Sequence, residues 1–122
     1  MSTTGLGDQP PRKLRGRKRR LWEARAAQEA AAQAFSRMDG LQRDLRVRFP
    51  DAAAAPAGFA DLDAATDAEA KRYLAAQDRY PVAAEVGKPE LLAAAVEFRQ
   101  AAFDCVRQAD ALEDFARRHP AT

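Results

Sequence analysis

Between Leu91 and Ala116 the side chains Leu91, Ala95, Phe98, Ala102, Cys105, Ala109, Leu112 and Ala116 follow one another at alternating steps of four and three residues. An α-helix returns such positions to one face, because its turn takes 3.6 residues, whereas a strand alternates at every second residue. Every other position of the stripe is Ala, which lets a neighbouring helix approach closely in coiled-coil fashion. The start is marked by Gly87, Lys88, Pro89 and Glu90, with proline in the first turn and a carboxylate beside it. The stop lies near Arg118, before Pro120, with Arg117 and Arg118 suited to the negative helix end.

A second stripe, Leu21, Ala24, Gln28, Ala31, Phe35, Met38, Gln42 and Leu45, predicts an earlier long helix that ends near Phe49, because Pro50 disfavours helical geometry in the residue before it. Gly40 is a candidate break, in which case Leu41 to Phe49 forms a separate short helix. Residues 50–62, with Pro50, Pro56 and Gly58 around an Ala run, read as a linker that Phe59 anchors to the core. Thr66 followed by Glu69 fits a capping box and predicts a middle helix that runs to Tyr80 and stops at Pro81. The expectation is an elongated, all-α, three-helix arrangement in which the two long helices pack antiparallel and the middle one lies against the pair. Residues 1–20 form a basic, partly disordered arm and residues 21–122 the helical domain.

Composition sharpens this. Of the apolar residues 30 are Ala and 27 are larger, so the core is thin and favours close helix packing over a bulky interior. Ile is absent, and the residues that favour strands never alternate over a run. No stretch approaches the ~18 apolar residues of a membrane span, and no apolar segment follows the charged start, so a cytoplasmic protein without membrane contact is expected.

Charge is distributed unevenly. Residues 12–48 carry 12 Lys/Arg against four acids, while residues 51–122 carry eight against thirteen, so net charges of +8 and −5 sit on one chain. Arg12, Lys13, Arg15, Arg17, Lys18, Arg19 and Arg20 stand within nine positions free of acids, and Arg25 follows one turn on. Crowded cations repel one another unless an anionic partner relieves them, and the closely spaced phosphates of nucleic acid do so with release of counterions. These eight residues are the candidate nucleic-acid contacts. With no Asn or Gln among residues 12–20 to read adenine, recognition should rest on backbone and shape. Trp22 either packs where the helix enters the bundle or stacks on a base.

Other chemistry finds little support. The single Cys105 lies on the apolar stripe and the single His119 lies past the last helical turn, so neither a catalytic triad nor a set of soft metal ligands is visible. Asp61, Asp63, Asp67 and Glu69 lack the glycine and terminal glutamate of a calcium loop; as an acidic face they are a candidate receiver for the basic face of another copy. Phe98, Ala102, Phe103, Val106 and Ala109 widen the apolar surface of the last helix and form the candidate assembly face. The sequence therefore predicts a non-catalytic, cofactor-free accessory subunit that grips nucleic-acid backbone and assembles as a homo-oligomer or within a larger complex. The competing expectation is a protein-only adaptor whose basic arm docks on an acidic partner.

Overall fold

The computed structural model describes residues 15–80 and 88–121. Among them there are three long helices, α1 (Gly16–Arg48), α2 (Phe59–Arg79) and α3 (Lys88–Arg118), with a short 3₁₀ turn over Ala52–Ala54, and no strand. The two heptad stripes are the buried faces. Ala24, Ala31, Met38 and Leu45 of α1 meet Leu91, Phe98, Cys105, Ala109 and Leu112 of α3, all at most 1% exposed. Alternation of Ala with larger side chains along both helices fills the space between closely spaced axes, the packing that the thin composition requires.

α1 starts at Gly16, so Arg17 to Arg20 lie in its opening turn, continuous with the helix from Leu21 onward. The helix runs unbroken through Gly40, which excludes the alternative of a separate Leu41 to Phe49 helix. The buried residues Met38, Gln42 and Leu45 bracket that glycine on one face, and their burial outweighs the ~1 kcal/mol that glycine costs relative to Ala. The helix closes as expected: Phe49 N–H donates to the Leu45 carbonyl, and Pro50 follows.

α2 begins seven residues before Thr66. Gly58, at φ 91°, occupies its N-cap in the left-handed region open to glycine, and Phe59 enters the core at 5% exposure. The capping box at Thr66 and Glu69 is thus corrected. Thr66 is wholly buried in the helix interior, where its hydroxyl donates to the Leu62 carbonyl at 2.8 Å. The apolar anchor won because Phe59 packs against Phe49 and Phe115, with ring centroids 5.6 and 5.9 Å away, and closes that end of the bundle.

Polar contacts fix the helix directions. Gln28 of α1 reaches Gln77 and Tyr80 at the end of α2, while Gln42 and Arg46 reach Asp63 near its beginning, so α1 and α2 are antiparallel. α2 and α3 are antiparallel too, with Tyr80 on Glu97 and Thr66 on Gln108. The two long helices consequently run parallel. Arg37 donates to Asp110, and Arg48, eleven residues further on, donates to the carbonyls of Ala116 and His119. The expected antiparallel pairing of these two helices is therefore overturned. α2, ~32 Å long at 1.5 Å per residue, carries the chain back along the bundle before α3 begins.

Candidate nucleic-acid interface

Arg12 and Lys13 lie outside the described residues. Arg15 is exposed at the N-cap of α1 with extended backbone and no capping side-chain bond. Arg17, Lys18, Arg19 and Arg25 are exposed and Arg20 is half-buried. Consecutive helical positions turn by ~100°, so residues 17–20 spread their charges around the helix as a collar. Lys18, Trp22 and Arg25, at steps of four and three, share one stripe.

This end of α1 is electrostatically unfavourable as it stands. The N-terminus of a helix carries the equivalent of roughly half a positive charge and ordinarily attracts acids. Here the first turn contains none, and four consecutive cations add to the dipole. Arg19 pairs with Glu23 one turn along at 3.5 Å. The Arg20 Nε is buried with no hydrogen-bond partner. Such an arrangement holds a concentrated positive field that the helix itself does not neutralise.

The remaining cations of α1 have partners in the same chain: Arg43 within α1, and Arg37, Arg46 and Arg48 across the bundle. Arg37 bridges Asp110 and Glu113 at 3.0 and 3.3 Å, and Arg43 pairs with Asp39 at 2.9 Å. Arg46 donates to both oxygens of Asp63 at 2.9 Å and also reaches Asp67. Arg48 caps the end of α3 by donating to the carbonyls of Ala116 and His119 at 2.9 and 3.0 Å. The sequence showed a basic N-terminal third, and the contacts set Arg37, Arg46 and Arg48, which bond to α2 and α3, apart from the acid-free opening turn. That division depends on which acids the fold brings near Arg37 and Arg46, so no local signal revealed it.

Two other expectations are refined by position. Trp22 is half-buried yet stands outside the apolar core cluster. Of the candidate assembly face, Phe98 and Ala109 are fully buried between the helices and Ala102 is half-buried, so these three belong to the bundle's interior packing. Phe103 and Val106 do face outward, joined by Leu92 and Val96. The heptad stripe and the outer face alternate along the same helix, and mixing residues from both made one face out of two.

The acidic residues at the start of α2 also find structural work. The Arg46 hydrogen bonds hold the Asp63 carboxyl below its ordinary pKa of 3.8, against the opposing effect of burial and with a further bond from Gln42. Cys105 is 1% exposed, and burial, helped by the negative charges of Glu69 and Asp104, pushes its thiol up to about 11. It is a neutral apolar side chain at physiological pH, with no thiolate to attack a substrate. A groove of about 280 Å³ between α2 and α3 has Ala75, Ala76 and Ala101 in its floor. Its Arg72 and Arg79 are matched by Asp104 and Glu97, so its charges are internally compensated.

No helix among the described residues is long and apolar enough to cross a membrane. No family model, curated protein or solved structure matches this chain.

Proposed function

We propose that this protein is a non-catalytic, cytoplasmic accessory subunit that holds nucleic-acid backbone through the basic opening of α1 and assembles through the outer face of α3. The observation that supports the first half is the partition of charge along α1. Arg37, Arg43, Arg46 and Arg48 are satisfied by carboxylates and carbonyls of the same chain. Lys18 and Arg25 have no such partner among the described residues, and they lie near a positive helix end whose first turn carries Arg17, Lys18 and Arg19 and no acid. Phosphates meet the need of such a cluster, because they accept charge-assisted hydrogen bonds and their neutralisation releases counterions. Backbone contact accounts for the composition, since Arg and Lys without neighbouring Asn or Gln carry little base discrimination.

The test is fluorescence anisotropy with labelled duplex DNA, single-stranded DNA and RNA at several salt concentrations. The intact chain is compared with a variant in which Arg17, Lys18, Arg19 and Arg20 are all Ala. Binding that is tolerant of sequence, that falls with a logarithmic salt slope approaching about −6 if all seven arm cations meet duplex phosphates, and that the variant loses, is the expected result. Absence of binding at low salt would overturn it and favour an adaptor whose basic end docks on an acidic protein.

A further inference from the structure

α3 carries a second apolar stripe that the bundle does not use. Leu92 is 50% exposed, Val96 61%, Phe103 63% and Val106 44%. They recur at steps of four, seven and three, so they line one side of the helix, facing away from Leu91, Phe98, Cys105 and Leu112. Arg99 fills the gap in this series between Val96 and Phe103, and Asp110 continues it by one step of four. Arg99 is exposed and makes no hydrogen bond or ion pair within the described residues. The Asp110 side chain is 65% exposed and accepts one bond from Arg37.

We infer that this stripe pairs antiparallel with the same stripe of a second copy, Phe103 of each against Val106 of the other and Arg99 of each against Asp110 of the other. The inference rests on the assembly half of the function proposed above. Charge selects the arrangement. A parallel, in-register pair brings Arg99 onto Arg99 and Asp110 onto Asp110, two like-charge layers. An antiparallel pair shifted by one heptad, with Val96 on Val106, sets Leu92 against the Asp110 carboxylate and leaves Arg99 with Phe103 and no acid opposite. The chosen register joins both apolar centres and both charges, and it obeys the alternating heptad layers of antiparallel helix pairs. Leu92 and Val96 then cover the aliphatic stems of Arg117 and Glu113 of the other copy. The seam, from position 92 to 117, is ~38 Å long at 1.5 Å per residue, and its contact area is on the order of 1,000 Å², the lower end for specific interfaces. Association should therefore depend on concentration.

Sedimentation velocity of the full chain from about 1 to 100 μM tests this, with F103D, R99D, D110R and the double variant R99D/D110R, each checked for helicity and melting temperature. All three positions are exposed, so the variants should fold. The expected outcome is a monomer–dimer equilibrium that F103D abolishes, that each charge reversal weakens about tenfold or more, and that the double swap restores. A chain that stays monomeric throughout overturns both the assembly reading and this inference. A dimer indifferent to F103D overturns this inference alone and leaves assembly to another face. Failure of the double swap to recover what the single reversals lose overturns the antiparallel register.

Discussion

The side-chain amide of Gln108 donates to the hydroxyl of Thr66 at 3.0 Å, and this hydroxyl, wholly buried in the middle of α2, in turn donates to the Leu62 carbonyl one turn earlier. The hydroxyl is thus satisfied in both of its roles, and it ties α2 to α3. Replacing Thr66 by Val keeps the shape and removes the pair. Gln108 is then left with only its 3.4 Å contact to the Leu62 carbonyl. The expected loss is ~1–2 kcal/mol, measured as a lower urea midpoint with an unchanged m-value.

The Arg46–Asp63 pair gives stability a definite pH dependence. A carboxyl held below its ordinary pKa of 3.8 in the fold contributes stability that is fully present above that value and is lost as pH falls through the folded pKa. D63N should therefore destabilise by only ~1 kcal/mol at pH 7, since Arg46 is half-exposed and solvent screens the pair, and by less at a pH below the folded pKa of Asp63, where the carboxyl is protonated. Denaturation curves at the two pH values check it; an equal loss at both would show that the Coulombic link to Arg46 is unimportant.

Cations at the two ends of α1 should respond differently to substitution. K18A and R25A are expected to weaken nucleic-acid binding several-fold each and to flatten the salt slope by about 0.9 per lost contact, with little change in melting temperature. R46A should do the reverse, lowering stability and leaving affinity nearly unchanged. Anisotropy titrations alongside thermal melts separate the two classes.

Cys105 should be silent to thiol reagents in the native protein. At 1% exposure, with its thiol pushed up to about 11, it reacts only when the bundle opens. Labelling by an aromatic disulfide at pH 8 should be slow and should accelerate in urea in step with unfolding. Fast labelling in buffer would indicate local opening of α3.

The long helices were legible because burial repeats along them with the helical period. All eight positions of the Leu91 to Ala116 stripe are buried or half-buried, and Pro50 and Pro120 end their helices through backbone chemistry that needs no tertiary context. The start of α2 was misread for a different reason. Thr66 and Glu69 satisfy a local capping pattern, but the helix start was decided by Phe59 reaching Phe49 and Phe115, contacts across the chain that no short window contains. Helix direction depends likewise on which pairs meet, such as Arg48 with the carbonyls of Ala116 and His119. The basic cluster could be located from the sequence, as could the Arg43–Asp39 pair at helical spacing; the engagement of Arg37, Arg46 and Arg48 could not, because their partners lie on other helices and the sequence gives only distance along the chain.

Because α1 and α3 run the same way, the cation-rich turn at Arg17 to Arg20 and the α3 terminus at His119 lie at opposite poles of the bundle, separated by roughly 45 Å of helix at 1.5 Å per residue. A fluorophore, affinity tag or surface tether attached beyond His119 should therefore leave the positive pole free and presented outward.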